Sequence, residues 1–221
     1  MQSAAREPFL GVLMLDTRFP RLPADVGHPG SFTMPVRHRV VPGASARRAV
    51  LEADPALLTP FVEAGRALVA EGARALTTSC GFLVLLQQPL QEALPVPVWS
   101  SSLLALPALD RPGVLTVDAA SFGPAHLLAA GADPSTPVEG LAPAGHLQRV
   151  LLEDLTHLDP VAAQAEVLQA AQQLLARHPE VQTLLLECTN LAPYAAALAA
   201  ATGRRVHHLL SLVHERWSLM T

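Results

Sequence analysis

Lysine is absent from this chain of 221 residues, and all 15 of its basic residues are arginine. A pyridoxal phosphate enzyme needs a lysine to form the Schiff base that holds its cofactor. A P-loop needs a lysine to contact the nucleotide phosphates. The missing residue type therefore excludes both classes of site.

An excess of charge of either sign is also lacking. The formal net charge is -4 at pH 7 and the isoelectric point is near 6.1, so nothing favours nucleic acid or an anionic membrane surface as a partner. No apolar run approaches the roughly 20 residues of a membrane-spanning helix, and the first six residues form a short polar lead without a signal-peptide pattern. We expect a cytoplasmic protein that binds a small molecule, and the sequence leaves homo-oligomerisation open.

Cysteine is scarce, and its two occurrences share one kind of position. Cys80 and Cys188 each follow an apolar run typical of a buried strand, and each precedes a helical pattern. Open α/β sheets bind their ligands at such turns, where a helix N-terminus lowers the pKa of a thiol. An isolated free cysteine is more often a small core residue, but a matched pair predicts an acid and a base.

A weak internal repeat supports the pairing of the cysteines. The segment 11–16 (GVLMLD) recurs as 113–118 (GVLTVD), and each copy is followed by its cysteine at a similar distance. Chance is the alternative, because strands of this composition are common in α/β proteins. The common order of the landmarks favours a degenerate duplication.

Strand and helix patterns alternate along the whole chain, which predicts mostly parallel sheets with helices on both faces. With the repeat, they predict an α/β fold of two pseudo-symmetric, doubly wound lobes with an active-site cleft between them. Lobe 1 would comprise residues 1–96 plus 207–221, and lobe 2 residues 97–206. The long segment 17–45, rich in Pro, Gly and Arg, is typical of a lid or binding loop.

The motifs around the cysteines resemble those of the aspartate/glutamate racemase superfamily, which includes hydantoin racemases, maleate isomerases and arylmalonate decarboxylases. The carriers of this resemblance are Ser79-Cys80-Gly81, the run 187–193 (ECTNLAP) and Asp16 at the end of the first strand. Members are duplicated α/β proteins with one cysteine from each half facing an interdomain cleft. Two departures, Gly81-Phe82 after the first cysteine and Asn190 beside the second, disfavour a glutamate racemase proper.

The resemblance implies a cofactor-independent racemase or epimerase, an isomerase of the amino-acid or hydantoin type. Cys80 and Cys188 would be the catalytic pair, exchanging a proton on opposite faces of a carbon next to a carboxylate or carbonyl. We expect neither a cofactor nor a metal ion. The alternatives are a decarboxylase or cis–trans isomerase of small carboxylic acids on the same fold, or a ligand-binding relative without turnover.

Small and polar residues near the strand ends are the candidates for binding the substrate carboxylate and the developing enolate. They are Asp16, Thr17, Ser79, Gly81, Phe82, Thr189 and Asn190. Asp16 would either orient Cys80 or cap a turn. We expect Glu187 to point away from the site, because it precedes Cys188 along a strand. The basic residues of segment 17–45 are interpreted as solvated, with a carboxylate clamp as the alternative.

Overall fold

Two parallel four-stranded sheets form the centre of the protein. The computed structural model describes residues 7–220, so the polar lead predicted for the first six residues lies outside the described part. The first sheet has the order β2-β1-β3-β4, with β1 (Phe9–Leu15), β2 (Val36–Val41), β3 (Ala73–Thr78) and β4 (Val98–Trp99). The second has the order β6-β5-β7-β8, with β5 (Pro112–Thr116), β6 (Val138–Gly140), β7 (Thr183–Leu186) and β8 (Arg205–His207).

Helices connect the strands. In the described residues they are α1 (Leu58–Ala70), α2 (Gln87–Ala93), α3 (Pro124–Ala129), α4 (His146–Leu152), α5 (Pro160–Arg177), α6 (Ala195–Thr202) and α7 (Leu209–Ser218). The longest of them, α5, begins at Asp159, whose carboxylate accepts from the N–H groups of Val161 and Ala162. Proline follows that cap at the first helical position, where its missing N–H costs nothing.

The inner strands of each sheet are largely buried, whereas the edge strands β2 and β8 are partly exposed. Every residue of β1 and β7 is buried, as the continuous apolar runs of these strands predict. Gly11 lets α1 approach β1, since a Cβ there would lie 2.5 Å from Leu76 Cδ2 and 2.9 Å from Leu68 Cδ1. The buried side chains of both sheets form one hydrophobic core.

The two sheets repeat one topology, which confirms the predicted fold class. Adding four to each strand number converts the first strand order into the second. The backbone matches at finer scale as well, because the N–H of Ser79 donates to Leu13 O at 3.0 Å and that of Glu187 to Leu115 O at 2.9 Å. Ser79 and Glu187 therefore occupy equivalent positions, each directly before a cysteine.

The strands of each sheet extend slightly beyond the lobe boundaries that the sequence predicts. β4 pairs with β3, so the first sheet extends to Trp99, whereas the sequence placed the boundary after residue 96. After β8 the chain returns along α7, where Arg216 Nη2 donates to Leu104 O at 3.4 Å and His214 lies 6.4 Å from Phe32 between ring centroids. The lobes as separate domains stay a prediction.

Candidate active site: a cavity between two cysteines

The ends of β3 and β7 bring the two cysteines to one place. Each cysteine is the N-cap of a short 3₁₀-helix, Gly81–Leu86 after Cys80 and Thr189–Tyr194 after Cys188. Both thiols are free and buried. They line one small cavity, here called the cysteine cavity, formed by Leu15, Phe19, Ala46, Val50, Ser79, Cys80, Gly81, Phe82, Val117, Leu151, Glu187, Cys188 and Asn190. Its volume of about 30 Å³ is room for roughly two waters.

Hydrogen bonds and close packing join the two halves beside this cavity. Thr189 Oγ1 donates to Ser79 O at 3.0 Å, and Asn190 Nδ2 donates to the carboxylate of Asp25. Gly81 packs directly on Glu187, so that a Cβ at position 81 would overlap both Oε1 and the main-chain oxygen of Glu187. The cleft between the halves is therefore closed at the level of the cysteines.

Burial keeps both thiols protonated at neutral pH. Burial, followed by the charge of Glu187, raises the pKa of Cys80 to about 12, although the N–H groups of Phe82 and Leu83 and the charge of Arg21 lower it. Burial and Glu187 also raise the pKa of Cys188 well above its ordinary value. The Cys188 thiol donates to Asn190 Oδ1 at 3.7 Å. Two N–H groups and the charge of Arg21 favour the thiolate of Cys80, whereas one N–H group favours that of Cys188 and the charges of Cys80 and Asp25 oppose it.

The structure corrects the expectation for Glu187, whose side chain lies at the cavity rather than away from it. This residue is 1% exposed, and its Oε2 accepts from Thr116 Oγ1 at 2.7 Å, while its buried Oε1 has no hydrogen-bond partner. Burial raises the pKa of this carboxyl to about 8, against the hydrogen bond from Thr116, which lowers it. The strand ends at Leu186, so strand alternation no longer governs Glu187.

Segment 17–45 closes one side of the cavity through a buried charge pair that sequence reasoning missed. Asp25 is fully buried and accepts from Gly27 N at 2.5 Å, from Arg21 Nη1 at 3.1 Å and from Asn190 Nδ2. The Arg21 guanidinium lies 4.6 Å from the centroid of the Phe19 ring, which lines the cavity. Asp25 thus connects this segment to the turn that carries Cys188.

The other basic residues of this segment lie elsewhere. Arg18 is exposed and pairs with Asp154, and Arg37 and Arg39 both pair with Glu71. His38 Nε2 lies 2.8 Å from Val26 O. Of these side chains, only Arg21 is placed to act on the cysteines, and it is already paired.

The predicted binding residues divide into two groups. Ser79, Gly81, Phe82 and Asn190 line the cavity together with the cysteines, whereas Thr189 is buried in the contact between the halves. Their roles toward a substrate stay a prediction.

Asp16 and Thr17 lie apart from the cavity. Asp16 is exposed and its carboxylate accepts from Gly43 N at 3.0 Å, and a role in orienting Cys80 stays a prediction. The hydroxyl of Thr17 accepts from Arg21 Nη2 at 3.0 Å. Asp16 ends β1 and fixes the turn after β2, which is the capping alternative.

Two further observations bear on the kind of site. Among residues 7–220, no three or more His, Cys, Asp or Glu side chains are grouped so as to hold a metal ion. Over the same residues, no helix has both the length and the apolar character needed to cross a bilayer.

Proteins of similar sequence bear a common name. The chain is 31% identical to a dimethylsulfoniopropionate lyase of Durusdinium sp. clade D, over 90% of this chain and 70% of that protein. It is 30% identical to dimethylsulfoniopropionate lyases 7 and 6 of Emiliania huxleyi (strain CCMP1516), over 88% and 90% of this chain. It spans 62% and 56% of the length of those two proteins. No protein-family model matches the chain.

Solved structures of similar fold are more distant in sequence. Unliganded arylmalonate decarboxylase superposes with a TM-score of 0.58 at 18% identity, over 90% of this chain and 86% of that one. Allantoin racemase from Pseudomonas fluorescens gives 0.56 at 17% identity, over 96% and 90% of the two chains. The solved structures show that the chain shares the fold of arylmalonate decarboxylase and allantoin racemase, and the identity to the lyases places it in the dimethylsulfoniopropionate lyase family.

Proposed function

We propose that this protein is a lyase that eliminates dimethyl sulfide from dimethylsulfoniopropionate or a close sulfonium carboxylate. The observation that carries the proposal is the convergence of Cys80 and Cys188 on one closed cavity. Relatives that share this chain's sequence over most of its length are named for that substrate.

The proposed reaction begins with removal of a proton from the carbon next to the carboxylate. The cysteine loses its own proton to solvent when the cavity opens to admit substrate, takes the substrate proton as a thiolate, and becomes a thiol again, while the C–H electron pair passes into the carboxylate as an enolate. As that pair returns to form the carbon–carbon double bond, the C–S bond breaks and dimethyl sulfide leaves with the C–S bonding pair, so that acrylate remains. A racemase starts with the same proton transfer, and one fold therefore serves both chemistries.

The unequal surroundings of the two thiols favour elimination over racemisation. Elimination needs one base, whereas racemisation by two bases needs a comparable thiol on each face of the carbon. Burial and Glu187 oppose ionisation of both thiols, but Arg21 and two backbone N–H groups favour the Cys80 thiolate, whereas Cys188 has one such N–H group and is opposed further by Cys80 and Asp25. Racemisation next to a carboxylate is the second candidate, favoured by the presence of a cysteine in each half.

The carboxylate of the substrate would lie against the polar side of the cavity. Ser79 and Asn190 line that side, and the N–H groups of Phe82 and Leu83 act on the neighbouring Cys80. Such donors stabilise the negative charge that develops when the proton is removed. Because the cavity is small, the two halves or segment 17–45 have to part when substrate binds.

The test is release of dimethyl sulfide from dimethylsulfoniopropionate, measured in the headspace by gas chromatography. We expect activity in the wild type and a loss of about 10²–10⁴-fold when the cysteine that acts as base is replaced by serine. Cys80→Ser and Cys188→Ser should lose activity unequally, and the exposed Val161→Ser serves as the control. Circular dichroism confirms folding of each variant.

Two outcomes would contradict the lyase. One is a folded wild-type protein that releases no dimethyl sulfide. The other is deuterium incorporation from D₂O at the stereocentre of an amino acid or hydantoin, lost equally in both cysteine variants. The second result would establish the racemase in its place.

A further inference from the structure

We propose that Glu187 selects substrates with a cationic end, its carboxylate being the counter-charge that a sulfonium or quaternary ammonium group meets in the cysteine cavity. This inference rests on the proposed function, because it names what holds the leaving end of the same substrate. Glu187 is here a specificity-determining residue, separate from the thiolate that takes the proton.

The first observation is the difference between the two halves at equivalent positions. Ser79 and Glu187 both precede a cysteine and make the same backbone hydrogen bond. Ser79 Oγ accepts from Leu15 N at 2.9 Å and is satisfied within its own half. Glu187 carries an ionisable group whose Oε1 is buried without a partner. A purely structural role would be filled by a satisfied side chain like Ser79, so the unpartnered oxygen indicates a ligand.

The second observation is the chemistry of the cavity wall. Among the described residues that line the cavity, Glu187 is the only ionisable one apart from the two thiols, and none is basic. Most of the remaining wall is apolar, with Phe19 and Phe82 as its aromatic members. A methylated onium group has an apolar surface and a diffuse positive charge, which suit aromatic and aliphatic walls beside one carboxylate. A substrate with a second carboxylate would instead face Glu187 without any compensating cation.

The third observation concerns the charges around Glu187. Glu187 interacts electrostatically with Cys80 after β3 and Cys188 after β7, and Thr116 at the end of β5 donates a hydrogen bond to it; Arg21 acts on Cys80, and Asp25 acts on Cys188. Arg21 is neutralised by Asp25, so no cation is left for Glu187. With its pKa near 8, the carboxyl is mostly protonated in the empty cavity at pH 7. A cationic ligand would favour the ionised form and release the proton.

The test uses two carboxylates of the same shape. The first, 3-(trimethylammonio)propionate, has a cationic end and is here called the cationic ligand; the second, 4,4-dimethylpentanoate, has an uncharged end in its place and is called the neutral ligand. Calorimetry at pH 7 in buffers of different ionisation enthalpy measures the protons released on binding. We expect nearly one proton to be released per bound cationic ligand and none with the neutral one. The affinity for the cation should rise between pH 6 and pH 9 as Glu187 ionises.

The variant for this test is Glu187→Gln, which keeps the shape of the protonated side chain. It should abolish proton release and weaken binding of the cationic ligand by about tenfold or more. The affinity for the neutral ligand should stay unchanged. With dimethylsulfoniopropionate it should raise KM more than it lowers kcat, because the charge it removes stabilises the bound cation, which is lost as the C–S bond breaks. Glu180→Gln, at an exposed carboxyl outside the cysteine cavity, is the matched control.

Three results would overturn the inference. In Glu187→Gln, the result is an equal loss of affinity for both ligands; in the wild type, it is binding of the cationic ligand without proton release, or no binding of that ligand. Failure of the proposed function is distinguishable from these, because the calorimetry needs no turnover. Cation-selective binding without release of dimethyl sulfide would contradict the proposed lyase function and support the proposed cation site. Release of dimethyl sulfide by Glu187→Gln at an unchanged KM would remove only the role of Glu187.

Discussion

At the scale of single residues, the buried carboxyl of Glu187 couples stability to pH. Its pKa is near 8 in the folded protein, against an ordinary value of 4.5. Between these values the folded state holds a proton that the unfolded state has lost, so stability falls as pH rises from about 4.5 to about 8. The fall is on the order of a few kcal/mol at most.

Glu187→Gln should remove this part of the pH dependence. We expect the variant to match the wild type at pH 5 and to exceed it in unfolding free energy at pH 8, as measured by urea denaturation. Glu180→Gln, which changes an exposed carboxyl, should follow the wild type at both values. Parallel curves for the wild type and Glu187→Gln would show that the carboxyl is ionised in the folded state at no cost.

The two thiols should react in a fixed order. They are almost equally buried, with 8% exposure for Cys80 and 9% for Cys188, so access does not separate them. Cys80 has the more favourable electrostatic surroundings, and only the thiolate is alkylated. Iodoacetamide should modify both slowly at pH 7, and Cys80 first as pH rises, by peptide mass spectrometry. Faster modification of Cys188 would reverse this order.

Sequence reasoning identified the position of the two cysteines, but it excluded Glu187 and left two roles open for Asp16. Strand-end cysteines are visible because a buried strand in a parallel sheet is a continuous apolar run. Asp16 was assigned to the site because it ends a strand, but β1 delivers it to the turn at Gly43. Glu187 was excluded by strand alternation one residue beyond the strand. Its equivalence to Ser79 in the repeat was the signal that could have found it.

At the scale of elements, Asn190 ties segment 17–45 to the second half through Asp25. Asn190→Ala removes one hydrogen bond to this buried carboxylate, at a cost of about 1.5–3 kcal/mol, which is typical of bonds to charged groups. We expect faster amide hydrogen exchange in residues 20–34 with little change in the sheets. Arg18→Ala is the control, because it breaks only an exposed ion pair with Asp154. It should leave amide exchange in residues 20–34 nearly unchanged. Unaltered exchange in Asn190→Ala would show that the segment is held by other contacts.

Gly81 is the position where the two 3₁₀ turns permit close approach of the halves. Gly81→Ala would drive a Cβ into the main chain and carboxyl of Glu187, so we expect a loss of several kcal/mol in stability. Gly123→Ala is the matched control, because no atom lies within 4 Å of a Cβ there and the change should be nearly neutral. Thermal denaturation compares the two. Equal melting temperatures would mean that the halves separate enough to admit a methyl group.

Element boundaries were less predictable than element order. The sequence predicts a helix from Phe82, whereas the chain first forms the 3₁₀-helix Gly81–Leu86 and only then α2. The tight turn follows from packing against the other half, which no local pattern records. Long capped helices such as α5 were predicted at both ends, because Asp159, Pro160 and Pro179 mark them in the sequence.

At the scale of the whole molecule, each sheet is built from one continuous stretch of chain. Residues 9–99 form the first sheet and residues 112–207 the second, so almost all strand pairing is settled within a half. This is why alternation of strands and helices, with a weak repeat, was enough to predict the architecture. The contacts between halves depend on single side chains such as Thr189 and Glu187, which carry no periodic signal.

The chemical difference between Ser79 and Glu187 has a stereochemical consequence. The two hydrogens on the reacting carbon of dimethylsulfoniopropionate are enantiotopic, and two equivalent thiols on opposite faces of that carbon could each remove one of them. With the cationic end fixed at Glu187, only one of the two hydrogens faces Cys80, the thiol whose ionised form Arg21 and two N–H groups favour. Substrate deuterated stereospecifically at that carbon should therefore give acrylate in which one configuration of label is lost and the other is kept. The single difference between Ser79 and Glu187 at equivalent positions would thus let a protein of two similar halves distinguish the two hydrogens of one carbon.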